Sequence, residues 1–230
     1  MNINNRKIAA IYRILAAFIG IITIIFQFGI FSEEKRFENI LYFTTISNLL
    51  CIIMFIVLSI KTFADIKKYG TYGYTSISSH LKGEITISII LTMSVYHFIL
   101  IPFALKEDPT RKIEIIDVIL HYIIPCITIF DWLLFDKKRR FKIYDPLLWT
   151  ILPYLYIIFV YIQGNYNLSQ NLNIGIGKYI YSFLDYNLLG KQEVCGNIII
   201  ISLIFIIIGY VIYGIDSIRI QNNEKNLGKI

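Results

Sequence analysis

The chain alternates between long apolar runs and short polar segments, and the apolar runs predict its elements. Each run has roughly the 20 residues that an α-helix needs to cross the hydrocarbon core of a bilayer. None of them shows the alternating polarity of a transmembrane β-barrel strand. The predicted spans are 8–31, 40–63, 85–105, 113–135, 146–162 and 196–215. The pattern predicts an all-α polytopic membrane protein, a bundle of six transmembrane helices in one integral domain, 1–230.

Composition strengthens this prediction. The chain of 230 residues is 56% hydrophobic and 17% charged, and its mean hydropathy is +0.62. Soluble domains carry about 45–50% apolar and about 25% charged residues. The excess of apolar residues excludes three classes of protein: an ordinary soluble enzyme, a disordered regulator and a nucleic-acid-binding module. The first run is too long for the core of a signal peptide and lacks a small-residue cleavage pattern, so we expect it to be retained.

The distribution of Lys and Arg predicts the orientation. With the N-terminus inside, the inner segments, in which Lys82 is counted, hold 14 of these residues and the outer segments hold 7, with Arg13 inside a span left out. The positive-inside rule then places both termini in the cytoplasm. The basic run at 137–142 belongs to this topology signal, and attraction of anionic lipid is the alternative interpretation.

The longest hydrophilic stretch, 163–195, is predicted as an outer loop. Its aromatic residues favour a loop that folds back over the bundle, because such side chains suit the membrane interface; they are Tyr166, Tyr179, Tyr181, Phe183 and Tyr186. The three cysteines, Cys51, Cys126 and Cys195, are odd in number and have no metal-type spacing, which argues against a disulfide framework.

Polar residues inside spans are the informative ones, because they are costly there and usually face the bundle interior. Thr44, Ser47 and Asn48 lie at i, i+3 and i+4 on the second span and share one helix face. Asp117 and His121 form an i,i+4 pair on the fourth span, and His97 lies near the outer end of the third. All of them are predicted in the outer half of the bilayer.

A second polar pair lies near the inner ends of two spans. Arg13 is five residues inside the first span and Asp131 is four residues inside the fourth. Each would be expensive alone, so a structural ion pair between two helices is the first interpretation. Snorkelling of Arg13 to the headgroups and a functional role are the alternatives.

Several motifs carry a resemblance. They are Tyr42-Phe43-Thr44-x-x-Ser47-Asn48, Tyr96-His97, Asp117-x-x-x-His121-Tyr122-x-x-Pro125, Asp131-Trp132, Tyr181-x-Phe183-Leu184-Asp185 and Gly196-Asn197. Together they resemble a group of bacterial six-span proteins, which is distantly similar to the eukaryotic androgen-induced-gene and androgen-dependent TFPI-regulating protein family. This sequence has Ser182 where the bacterial pattern usually has Pro.

The resemblance implies a bacterial plasma membrane location and an activity. Members of the eukaryotic family are intramembrane hydrolases of lipid esters, notably fatty acid esters of hydroxy fatty acids, with a Thr nucleophile and a His. Carried over to this chain, Thr44 matches the nucleophile and His121 the base, and the adjacent Thr45 leaves the register open by one residue. The implied partners are a lipid or fatty acyl ester and membrane lipids; no nucleic acid and no cofactor are expected.

The residues themselves fit this chemistry. A Thr hydroxyl needs a base within about 3 Å, Asp117 could set the tautomer of His121 as a third triad member, and Asn48 or a freed backbone N–H could stabilise an oxyanion. Ser47 and His97 are supporting candidates, and His97 could bind substrate or simply be a satisfied buried group.

Other interpretations of the same residues stay open. A Thr in a membrane helix most often bonds its own i−4 carbonyl, and His97, His121 and Asp117 could instead form a two-His-one-carboxylate metal site. A non-catalytic lipid-binding protein and a small transporter are the alternatives to an enzyme. The oligomeric state is left open.

Overall fold

The computed structural model describes residues 3–170 and 179–218. These residues form helices joined by short connections, and six helices are long and apolar enough to cross a membrane. They are α1 (Arg6–Gln27), α2 (Phe43–Tyr69), α3 (Ser79–Glu107), α4 (Ile115–Phe135), α5 (Asp145–Tyr166) and α6 (Lys191–Ser217). The predicted fold, a multi-pass all-α membrane protein, is confirmed; the orientation of its termini stays a prediction.

Several helices extend beyond the predicted apolar runs, whereas α1 ends at Gln27, four residues before its predicted end, and α2 begins at Phe43, three residues after its predicted start. α2 continues to Tyr69, α3 begins at Ser79, and the last helix begins at Lys191. The helix of α5 continues to Gln170, so the predicted loop 163–195 is wrong at both ends. Backbone hydrogen bonds within a helix are satisfied whatever its side chains are, so a helix need not end where its polar residues begin. The loop glycines Gly175 and Gly177 lie outside the described residues.

Small residues let α1 and α2 approach closely. Ala9, Ala16, Ala17 and Gly20 are buried on one face of α1. A Cβ at Gly20 would lie 2.5 Å from a side-chain carbon of Ile52 on α2. Because lipid is as apolar as the helix surface, close packing of small residues is a main source of helix association in a membrane.

The core has two apolar clusters with α3 between them. Ile85 and Ile89 of α3 belong to a cluster with α1, α2 and α4. Ile87 and Leu91 belong to a cluster with α5, α6 and the segment 179–184. α3 is therefore buried on two sides, which explains why four alternating residues of one helix are all apolar.

A buried charge cluster joins α1, α3 and α4 at the end of the bundle where α4 finishes. Arg13 Nε and Asp131 Oδ1, the pair predicted from the sequence, are 2.8 Å apart, and both side chains are 0% exposed. Lys82 contacts Asp131, and its Nζ is 2.8 Å from Asp136 Oδ1. Thr62 adds a hydrogen bond of 3.1 Å from Arg13 Nη1. The cluster holds two positive and two negative side chains.

The position of Lys82 corrects the sequence analysis. For the orientation, Lys82 is counted as a charge of an inner segment. In the structure Lys82 belongs to the transmembrane helix α3, and its side chain is buried, with 2% exposed. The predicted third span, 85–105, begins after Lys82 and Glu84 because these two charged residues interrupt the apolar run. Partner carboxylates from α4 and from the residue that follows it make the burial of Lys82 possible.

We predict that Asp131→Asn destabilises the protein strongly, because it leaves an uncompensated positive charge in the cluster. Removal of one partner of a buried ion pair costs about 3–5 kcal/mol, which reversible unfolding in detergent should show. Asp108→Asn, at an exposed position, is the matched control. Combining Asp131→Asn with Lys82→Met restores the charge balance and should recover part of the loss; a double variant less stable than Asp131→Asn alone would contradict this account.

Candidate active site

Thr44 lies in the first turn of α2. Tyr42, in extended conformation, caps this helix, and its carbonyl accepts the N–H groups of Thr45 and Ile46 at 3.0 and 3.2 Å. Thr44 is 9% exposed and His121 of α4 is 6% exposed. The Thr44 Oγ1 and His121 Nε2 atoms are 3.2 Å apart. The two residues that the sequence analysis selects are thus in hydrogen-bond contact across two helices.

Thr45 has a different environment. Its hydroxyl is fully buried and accepts a hydrogen bond of 2.9 Å from Gln27 Nε2 of α1. The contact with His121 is made by Thr44. The geometry therefore favours Thr44 over Thr45 as the residue that His121 could activate.

A wide, π-helical turn places His121. It covers Ile119–Ile123 and precedes Pro125, which has no N–H to give to the carbonyl of the residue four positions earlier. Such a turn accommodates a proline and changes the direction of the side chains before it. The corresponding turn of α3, Tyr96–Leu100, likewise precedes a proline, Pro102. Both turns carry residues of the site.

The hydrogen bond on the other ring nitrogen sets the tautomer of His121. Nδ1 is 2.9 Å from the backbone carbonyl oxygen of Asp117. A carbonyl only accepts, so Nδ1 carries the hydrogen and the lone pair of Nε2 faces the Thr44 hydroxyl. The sequence analysis gives this task to the Asp117 carboxylate, whereas the main chain of the same residue performs it. The Asp117 side chain lines the adjacent cavity.

An aromatic ring holds His121 from one side. Tyr96, in the wide turn of α3, stacks on the imidazole with ring centroids 3.5 Å apart and planes at 7°. The stack limits rotation of the histidine ring and keeps Nε2 directed at Thr44. In the sequence Tyr96 stands out only as part of the Tyr96-His97 motif. Its stack on His121 joins two helices, and no spacing along the chain predicts such a contact.

His97, the next residue, is not part of this arrangement. It is exposed, and its Nδ1 lies 3.0 Å from the Tyr122 hydroxyl. The wide turn directs it away from the face that carries Tyr96. In the described part of the chain, no group of three His, Cys, Asp or Glu side chains is close enough to hold a metal ion. His97, Asp117 and His121 are therefore not assembled as the alternative metal site requires.

Ser47 and Asn48 connect helices beneath Thr44. The Asn48 amide donates to the carbonyls of Thr44, at 2.8 Å, and of Leu120 on α4, at 3.2 Å. The Ser47 and Thr92 hydroxyls are 2.8 Å apart and join α2 to α3. Since both amide hydrogens of Asn48 are engaged with carbonyls, its role here is to fix the distance between α2 and α4.

Two cavities meet at Thr44. The larger, of about 750 Å³, has a mixed lining, in which Arg36, Asp117 and His121 lie among apolar side chains. The smaller, of about 70 Å³, is almost entirely apolar and lies against α3, α5 and α6. Thr44, Leu100 and Tyr181 line both cavities. A carbonyl group at Thr44 would thus have a space with charged groups on one side and a purely apolar space on the other.

The segment between α5 and α6 closes this end of the bundle. Tyr179, Tyr181 and Leu184 are buried in the core, so the described part of the predicted loop does fold back over the helices. The hydroxyls of Tyr181 and Tyr156 each accept from the Phe43 N–H at 3.1 Å. Burial raises the pKa of Tyr181 to about 12, although hydrogen bonds with the Phe43 N–H, Tyr156 and Thr44 lower it.

Comparisons with known proteins yield no relative: no protein-family model, no curated protein and no solved structure matches this chain. The case for a function therefore depends on the geometry of the site itself.

Proposed function

We propose that the protein is an intramembrane hydrolase of lipid esters, of the fatty acid ester of hydroxy fatty acid type, with Thr44 as nucleophile and His121 as base. The observation that carries the proposal is the 3.2 Å contact between Thr44 Oγ1 and His121 Nε2 at the junction of two cavities. A hydroxyl becomes a nucleophile when a positioned base takes its proton. The tautomer of His121 leaves Nε2 free to do this.

The reaction would proceed in two halves. His121 Nε2 takes the Thr44 proton while Oγ1 attacks the ester carbonyl carbon, and the carbonyl π pair moves onto its oxygen. Collapse of the tetrahedral intermediate breaks the bond to the alcohol oxygen, which receives the proton from His121. Water, deprotonated by the same nitrogen, then attacks the acyl-Thr; the bond from the acyl carbon to Thr44 Oγ1 breaks, His121 returns the proton to Oγ1, and the acid is released. In the first turn of α2 the N–H groups of Phe43, Thr45 and Ile46 already have acceptors, so the charge on the carbonyl oxygen needs another donor.

The two cavities suit the two ends of an amphiphilic ester. The apolar cavity would take the first carbons of the acyl chain, which continues among the aliphatic side chains of α5 and α6. The larger cavity would take the alcohol part, its carbon chain against the apolar lining and its charged group near Arg36 and Arg111, which line the cavity together with Glu114. The resemblance to the eukaryotic hydrolases supports the same class of substrate.

The alternatives differ from this proposal in what they require. A non-catalytic lipid-binding protein needs the cavities but not the contact between a hydroxyl and a histidine of fixed tautomer. A small transporter needs a polar route through the bundle. Here the buried apolar side chains of Phe55, Leu58 and Ile89 lie in the cluster formed with α1 and α4, and no described polar cavity extends through them. The geometry at Thr44 favours the hydrolase.

We predict that purified protein hydrolyses a palmitate ester of hydroxystearic acid, and that Thr44→Ala and His121→Ala each lower kcat by about 10³-fold or more. Thr45→Val, which changes the neighbouring hydroxyl, is the matched control and should retain most of the activity. A fluorophosphonate probe should label Thr44, as mass spectrometry of the digested protein would show. Absence of turnover by the wild type, or turnover that survives Thr44→Ala, would overturn the proposal.

The apolar cavity generates a separate prediction. Ile201→Phe places a larger side chain in the apolar cavity, which has a volume of about 70 Å³. The variant should therefore reduce hydrolysis of long-acyl esters more than that of acetyl esters. Ile207→Phe, on the exposed side of the same helix, serves as control. The measurement is kcat/KM for an acyl series from two to sixteen carbons; an equal loss for every member would show that the acyl chain lies elsewhere.

A further inference from the structure

Among the described residues outside the spans, Tyr181 alone lines both cavities beside Thr44. Its ring is buried, and its hydroxyl lies 3.1 Å from the N–H of Phe43, the residue before Thr44. The Thr44 side chain is near enough to contribute a hydrogen bond to it. The hydroxyl of Tyr181 therefore lies next to Thr44 at the junction of the two cavities, beside the space that an ester carbonyl attacked by Thr44 would occupy.

The surrounding hydrogen bonds determine what the Tyr181 hydroxyl can do. The Phe43 N–H donates to the oxygens of Tyr181 and Tyr156. Tyr156 directs its own hydrogen to the Leu41 carbonyl at 2.9 Å. Tyr181 therefore has one hydrogen, and the oxygens it can donate it to are those of Tyr156, of Thr44 and of a group in the cavity. A donor to the tyrosine oxygen polarises the O–H bond and makes it a stronger donor.

We propose that the Tyr181 hydroxyl donates a hydrogen bond to the oxyanion formed when Thr44 attacks an ester carbonyl, and so is a catalytic residue. The proposal rests on the proposed function. Tyr181 keeps its own proton in this step: the Thr44 proton goes to His121 Nε2, the π pair of the carbonyl moves onto its oxygen, and Tyr181 stabilises that charge by hydrogen bonding. A preorganised hydrogen-bond donor directed at the developing charge is usually a large contribution to catalysis.

The other polar side chains beside the site are less suited to this role. Both amide hydrogens of Asn48 are used by carbonyls, and Tyr96 is stacked on the His121 ring. Burial keeps the pKa of Tyr181 at about 12, so the group stays protonated at neutral pH and can donate. The Tyr181 hydroxyl is therefore a protonated hydrogen-bond donor that lies next to Thr44.

The loop is anchored to two helices just after Tyr181. Asn197 of α6 donates to the Phe183 carbonyl at 3.0 Å, and the Tyr161 hydroxyl of α5 donates to the Leu184 carbonyl at 3.3 Å. These contacts hold the loop against α5 and α6. The catalytic centre is complete only when this segment lies over α2, so the loop contributes directly to the chemistry.

The test compares Tyr181→Phe with Tyr186→Phe. Tyr186 belongs to the same segment, and its hydroxyl contacts Asn165 at 3.2 Å, away from Thr44. Removal of the Tyr181 hydroxyl should lower kcat for the palmitate ester by about 10²-fold. KM should stay within about two-fold, because the interaction forms only in the transition state. Tyr156 remains to accept the Phe43 N–H, so the melting temperature in detergent should match that of Tyr186→Phe.

A pair of inhibitors shows whether Tyr181→Phe affects stabilisation of the oxyanion or only the packing of the site. A long-chain trifluoromethyl ketone adds to the Thr44 hydroxyl and forms an oxyanion, whereas the corresponding methyl ketone binds without addition. Tyr181→Phe should weaken binding of the trifluoromethyl ketone in proportion to its loss of kcat/KM and leave binding of the methyl ketone nearly unchanged. Incorporation of 3-fluorotyrosine at position 181, which retains the ring and the hydroxyl, should restore kcat. It should also restore the tighter binding of the trifluoromethyl ketone relative to the methyl ketone.

Each outcome is decisive. If Tyr181→Phe turns over the ester as fast as Tyr186→Phe while Thr44→Ala is inactive, the role of Tyr181 is refuted and the hydrolase proposal stands. A 3-fluorotyrosine protein as slow as the Phe variant, or equal weakening of both ketones, also refutes it. Absence of turnover by the wild type refutes both proposals together.

Discussion

The buried cluster of Arg13, Lys82, Asp131 and Asp136 sets the relative position of the helices on which the site depends. An unpaired charge in an apolar bundle is so costly that α1, α3 and α4 must meet where their charges neutralise each other. Asp131 and His121 lie on the same helix, ten residues or roughly 15 Å apart. Fixing α4 at one end therefore determines the height of His121 at the other, where it contacts Thr44 of α2.

At that other end the same requirement, a partner for every buried polar group, is met by small distortions of the helices. The wide turns before Pro102 and Pro125 bring Tyr96 and His121 into a stack, and the Asp117 carbonyl accepts from the ring. Each of these contacts would serve structure alone. Together they leave one nitrogen lone pair directed at one hydroxyl beside a cavity, which is more than packing requires.

The predictable part of this site is the set of residues that are exceptions to a hydrophobic pattern. Thr44 and His121 stand out because each is polar within an apolar run, and helical periodicity places each on a definite face. Lys82 was misassigned because hydropathy reads a buried, neutralised Lys as the end of a span. Tyr96 and Tyr181 carry no such signal, since aromatic residues are common at membrane interfaces and their partners come from distant parts of the chain.

By itself, the sequence determined that the protein lies in a lipid bilayer, how many helices span it, and which polar groups need an explanation. These properties follow from the free energy of transferring local stretches of chain from water into the bilayer. The tertiary structure alone decided that Thr44 rather than Thr45 contacts His121, that a backbone carbonyl holds its tautomer, and that Tyr181 reaches the site. These facts depend on distances between helices and on turns of altered pitch. Such distances arise from packing and pairing over the whole bundle, which no local pattern encodes.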